Sequence, residues 1–146
     1  MPEVSDLIES YSREPINQYV MEDFSVSSTQ GNSICGDNIT VYLKISPEGI
    51  IEEYSHAGQP AIFTLAAASM LAEEIEGMHI DEVAKWTYSF MKGIGFEVSP
   101  RRKRSAVSAL LAVRNAIHEW KDDGLVDSYE TVLEEVEESL DCPRGS

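Results

Sequence analysis

Between Asn38 and Ser46 the chain alternates without a break: Ile39, Val41, Leu43 and Ile45 fall on one side, Thr40, Tyr42 and Lys44 on the other. Successive side chains of a strand point to opposite faces, so this segment predicts a strand with one face in a core. Pro47-Glu48-Gly49 supplies turn residues that close a hairpin into a further strand over Ile50–Ser55. Upstream, Phe24 to Gln30 reads as a first strand, with Phe24, Val26 and Ser28 on one face, and Gly31-Asn32-Ser33 as the turn after it. Three consecutive antiparallel strands within residues 24–57 are the simplest assembly of these pieces.

The remainder is helical in pattern. Val4, Leu7, Ile8 and Tyr11 mark a short helix over residues 4–13 that Pro15 ends. Ala61 to Glu76 is rich in alanine, which allows close packing, and Gly77 is its expected C-terminal cap. A second segment starts at Asp81, carries Val83, Trp86, Phe90 and Met91, and stops at Gly93 and Gly95. After Pro100 a long helix places Ala106, Leu110, Val113, Ile117 and Trp120 on one stripe. A final acidic amphipathic helix is expected over 125–141, through Tyr129, Val132, Leu133, Val136 and Leu140. Strands first and helices afterwards predict a single α+β domain over 1–146, a three-stranded antiparallel sheet with helices packed on one face. Pro143-Arg-Gly-Ser146 reads as a tail or expression scar without functional weight.

A net charge of −15 opposes contact with nucleic acid or anionic membranes, since phosphates would be repelled. No apolar run approaches the ~18 residues of a membrane span. The opening Met-Pro-Glu-Val-Ser-Asp lacks the basic and apolar regions of a signal peptide, so a cytoplasmic location is expected. Cys35 and Cys142 are too few for a disulfide framework or a zinc motif. Arg101-Arg102-Lys103-Arg104 gathers four of the eleven basic residues; it reads as a solvated helix start or as a dock for an acidic partner.

The chemistry-bearing candidates stand just before the strong strand. Cys35 and Asp37 flank Gly36, and a glycine lets the backbone turn so that a thiol and a carboxylate converge on one point. Both are metal-ligand types. His56 is better read as a hydrogen-bonded residue than as a ligand, and His79 and His118 lie on helical segments without paired donors. No nucleophile can be matched with a base and no Gly-rich phosphate loop is present, so an enzyme is not expected.

Cys35-Gly36-Asp37 at the mouth of a strand resembles the first ligand segment of the NifU/IscU-type iron–sulfur cluster assembly scaffolds. Further pieces agree in order. Tyr11-Ser-Arg-Glu-Pro15-Ile-Asn17 is similar to the family's opening His-Tyr-x-x-Pro-x-Asn segment, and Gly58-Gln-Pro-Ala61 with Ser69-Met70 to its Gly-x-Gly-Cys and Ser-Ala-Ser-Met. Gly77-Met-His-Ile-Asp81-Glu82 resembles the Gly-x-x-x-Asp-Glu start of the next helix, and Pro100-Arg-Arg-Lys103-Arg104-Ser105 resembles the Pro-x-x-Lys segment that leads to the family's third cysteine. The match runs over roughly residues 7–120.

That resemblance implies a cluster held by three cysteines with the Asp of the first motif. Here Ala61 and Ser105 occupy the second and third cysteine positions and Arg104 that of a neighbouring His, so the implied metal ligands are Cys35 and Asp37 alone. The implied setting is iron–sulfur cluster biogenesis, with iron or a cluster as cargo and the sulfur-donating or cluster-transfer machinery as protein partners. Missing ligands would come from a second chain (a homodimer), small-molecule thiols or Cys142. The alternative is a metal-free interaction module that keeps the fold. In either case Cys35, Asp37, Ala61, Arg104 and Ser105 are expected at one end of the domain, with Arg104 paired to Asp37.

Overall fold

The computed structural model describes residues 4–32 and 37–134. Three antiparallel strands, β1 (Val26–Asn32), β2 (Asp37–Ile45) and β3 (Ile51–Gln59), form one sheet in the order β1-β2-β3. The alternation of β2 is realised: Ile39, Val41 and Leu43 are wholly buried. Burying each such side chain contributes about 1.5–3 kcal/mol, and a one-residue slip of register would expose all of them at once. Val41 lies opposite His56 and Leu43 opposite Tyr54, so both β3 residues join the core face.

Helices α1 (Val4–Arg13), α2 (Ile62–Ile75), α3 (Ile80–Val83), α4 (Tyr88–Gly93), α5 (Lys103–Lys121) and α6 (Tyr129–Leu133) complete the fold, with a 3₁₀ turn at Pro100–Arg102. α2 and α5 lie on the core face of the sheet. The alanines of α2, with Ala66, Ala67 and Ala68 all buried, let it approach closely enough for the Tyr54 hydroxyl to donate to the Ala68 carbonyl at 2.9 Å. The other face is crossed by the chain itself. Gln18 pairs with His56 at the β3 edge, Ser25 enters beside Leu43, and the Phe24 ring meets Tyr42 at 5.3 Å between centroids.

Several motif residues prove to be architectural. Asn17 takes a left-handed backbone (φ 59°) and donates from Nδ2 to the Tyr54 carbonyl and to Glu76, whose carboxylate accepts the Tyr54 N–H. Ser69 Oγ accepts the Ile16 N–H at 3.1 Å. His79 Nδ1 accepts the Asp81 N–H, which leaves Nε2–H to donate to the Glu48 carbonyl. Gly49 (φ 92°) makes room for that ring, since a Cβ there would stand 2.7 Å from Nε2.

Four sequence expectations shift. β1 begins at Val26, because Phe24 is spent on Tyr42 outside the strand, and β3 continues to Gln59 rather than stopping at Ser55. The segment from Asp81 is two short helices, broken where the Thr87 hydroxyl accepts the Ser89 N–H and starts α4 afresh. The C-terminal helix begins only at Tyr129, capped by Ser128, and stops at Leu133, before the left-handed Glu134 (φ 59°). Val136 and Leu140 lie outside the described residues.

Candidate functional site

Asp37 opens β2 directly opposite Asn32 of β1, and its side chain points at the start of α2. Oδ1 accepts the Ala61 backbone N–H at 2.9 Å and Oδ2 the Thr64 hydroxyl at 3.3 Å. Ala61 cannot cap the helix from its own side chain, and no acidic residue sits in the first turn of α2. A carboxylate borrowed from β2 therefore supplies the acceptor that a helix N-terminus requires and complements its positive dipole end. The approach depends on Gly58 (φ 124°), where a Cβ would lie 2.9 Å from the Asn38 carbonyl oxygen. The Gln59 N–H completes the junction by donating to Asn38 Oδ1.

The third segment reaches the same end of the domain. Arg102 lies over the Phe63 ring at 4.6 Å, two residues past Ala61 and three before Ser105. The basic run is not a free patch. Lys103 sits 5.1 Å over Tyr88 and Arg104 4.5 Å over Tyr129, so three successive cations fasten the start of α5 to α2, α4 and α6. The expected Arg104–Asp37 pair is absent among the described residues. The electron-rich face of Tyr129 holds the guanidinium, and Asp37 is committed to α2. Ser105 is half-buried at the head of α5. Cys35, the other candidate ligand, and Cys142 lie outside the described residues.

Ala61 and Ser105 change the donor set that an iron–sulfur cluster would meet in this chain. Such clusters are bound by thiolates, soft anionic donors that Ala61 and Ser105 do not offer. Among the described residues no group of three His, Cys, Asp or Glu side chains is placed to hold a metal ion.

The histidines divide differently from expectation. His56 is fully buried, its Nε2 2.8 Å from the Ile16 carbonyl and its Nδ1 without a partner among the described residues, and burial pushes its pKa below 6.5. His118, expected to lack partners, has two: Nδ1 is 2.9 Å from Asp123 Oδ2 and Nε2 is 3.1 Å from Asp127 Oδ2. Asp127 also takes Arg114 Nε at 2.9 Å, and Arg114 Nη1 donates to the Trp86 carbonyl. The acidic residues at i+5 and i+9 from His118 were the signal for this cluster, but they lie past the end of α5, where helical spacing gives no guide. Among the described residues no histidine nitrogen is hydrogen-bonded to a hydroxyl.

Residues 3–125 match the NifU-like N terminal domain. The chain belongs to that family. It is 27% identical over 124 residues to the iron-sulfur cluster assembly scaffold protein IscU 1 of Archaeoglobus fulgidus, covering 84% of this chain and 80% of that one. It is 29% identical over 79 residues to the IscU scaffold protein of Thermotoga maritima, a match covering 54% of this chain and about half (55%) of the relative. The fold is shared with a nitrogen-fixing NifU-like protein (N-terminal) from Brucella abortus, at a TM-score of 0.64, 19% identity, and 81% and 94% of the two chains. No helix among the described residues is long and apolar enough to cross a membrane.

Proposed function

We propose that this NifU-like domain acts in iron–sulfur cluster biogenesis as a scaffold-like protein whose own cluster site is incomplete. Cys35 and Asp37 are the residues this chain brings to iron or a cluster, and any further ligands come from a second chain or from small-molecule thiols. The observation that carries this reading is the meeting of Asp37 with Ala61. The ligand-bearing start of β2 abuts the start of α2, and the residue it meets has no donor atom to add. The protein then serves by engaging the assembly machinery through its shared fold, not by chemistry of its own.

A second reading, a metal-free interaction module, is favoured by one specific contact pattern. Both Asp37 oxygens are engaged by α2 and Arg104 is held on Tyr129, so these two side chains are satisfied by partners among the described residues. Anaerobic reconstitution with iron and sulfide separates the two. Stoichiometric iron and sulfide with thiolate-to-iron absorbance bands, lost in Cys35→Ala, supports the scaffold reading. A colourless protein after the same treatment supports the module.

A further inference from the structure

The far end of α5 carries a second feature. A helix of this length runs roughly 28 Å, so its last turn lies well away from the Asp37–Ala61 junction. There a cavity of about 410 Å³ opens between β1 and the loop that follows α5, bounded by Ser28, His118, Glu119, Asp122, Leu125 and Val126. That volume is within the range of sites that take large side chains or small ligands.

The loop is held hard in place. Asp122 ends α5 with a left-handed backbone (φ 56°), and the Leu125 N–H donates to Asp123 Oδ1. Asn115 makes two hydrogen bonds to the Asp127 backbone, its Oδ1 accepting the N–H at 2.7 Å and its Nδ2 donating to the carbonyl at 3.2 Å. His118 and Arg114 grip Asp123 and Asp127 from α5. Yet what this framework presents is apolar and open: Leu125 is 60% exposed and Val126 82%. A pre-ordered loop loses little entropy on binding, which is the condition under which exposed aliphatic side chains bind well.

The charge around the cavity selects the partner. Arg114, His118 and Lys121 are already paired, with Asp127, with Asp123 and Asp127, and with Asp81. Glu119 and Asp122 are exposed and have no ion pair among the described residues. Both unpaired charges at this cavity are negative, so a segment as acidic as residues 134–141, with Glu134, Glu135, Glu137, Glu138 and Asp141, is disfavoured there and a cationic one is favoured.

We propose that the cavity between β1 and the α5–α6 loop is a docking surface for a lysine- or arginine-rich segment of a partner protein with an aliphatic side chain between its charges. The aliphatic group packs on Leu125 and Val126, and the flanking cations reach Glu119 and Asp122. Leu125 is the last residue of the family-matched region and Val126 lies just beyond it.

Fluorescence anisotropy tests it with a labelled peptide of alternating lysine and leucine, beside lysine–serine and glutamate–leucine controls. The first should bind saturably, weakening with salt, and both controls should bind at least about tenfold more weakly. Leu125→Ser with Val126→Ser, and separately Glu119→Lys with Asp122→Lys, should each weaken binding about tenfold or more, with unchanged circular dichroism. Glu52→Lys with Glu74→Lys, the same change of charge elsewhere, should preserve most of it. The proposal is overturned if the lysine–leucine peptide does not bind or if the lysine–serine peptide binds equally. Equal weakening by the distant charge changes would reduce the effect to net charge. A dimer that dissociates in Leu125→Ser with Val126→Ser would assign the surface to a second copy instead.

Discussion

Asp37 Oδ1 accepts the Ala61 backbone N–H at 2.9 Å and ties the mouth of β2 to the N-cap of α2, 24 residues later. In this chain the carboxylate of the Cys-Gly-Asp motif is a helix cap supplied from another element. A residue type chosen for metal chemistry is equally suited to that task, because an ionised carboxylate is a strong acceptor at a positive helix end.

Asp37→Ala should therefore destabilise the metal-free protein by about 1 kcal/mol, within the range of N-cap losses, and Asp37→Asn by less. Urea denaturation of the apo protein measures both. No loss in Asp37→Ala would mean that the cap contributes nothing to folding.

Restoring thiols at the two substituted positions tests whether the segments face a common point. Ala61→Cys with Ser105→Cys should bind zinc far more tightly than the parent, because three thiolates and Asp37 complete a four-ligand set. Either single variant should gain much less. Competition with a chromophoric chelator gives the affinities, and a double variant no better than the parent would separate Ser105 from the Asp37 end.

The buried His56 predicts an acid-sensitive fold. In the unfolded chain its imidazole takes up a proton near its ordinary pKa of 6.5, while burial opposes this in the folded state. Below that pH the unfolded state binds more protons, so stability should be full above about pH 6.5 and decline as the pH falls through the lower folded value. Asp81 and Asp123, held below 3.8 by hydrogen bonds from Lys121 and His118, act only at more acidic pH. His56→Gln should flatten the upper part of the profile, read as urea midpoint against pH.

Arg114 and Arg104 should differ sharply in worth. Arg114 and Asp127 are 10% and 14% exposed at their side chains, and removing Arg114 takes the donor from the Trp86 carbonyl and leaves Asp127 with His118 alone, so Arg114→Ala should cost about 3 kcal/mol. Arg104 lies over Tyr129 in the open, where a cation–π contact contributes about 0.5–1 kcal/mol. Thermal and urea melts of the two variants rank them, and equal losses would contradict the burial argument.

The sheet was legible because β2 states its own register: one buried face, one polar face, and Gly49 where the turn needs a left-handed residue. Breaks inside helical runs were harder to see. Trp86 and Phe90 keep a helical spacing, yet they stack at 3.8 Å across the junction that Thr87 makes. At the site, the sequence named Asp37 and its neighbourhood with Ala61 but not what it does there. Capping across 24 residues leaves no local spacing to read. The Arg104–Asp37 expectation failed because charge alone was weighed; the ring of Tyr129, distant in sequence, offered the guanidinium a nearer partner.

The passage of the chain from Gln18 to Ser25 has a bearing on how the edge of the sheet is covered. β3 is an edge strand, and an uncovered edge offers unpaired amides to any strand of another molecule. Asn17 and Gln18 occupy part of that edge from within, the Asn17 carbonyl accepting the His56 N–H at 3.0 Å. The residues before β1 are thus a built-in guard against sheet-to-sheet polymerisation. A shortened chain beginning at Val26 would keep every strand and still be prone to form fibres.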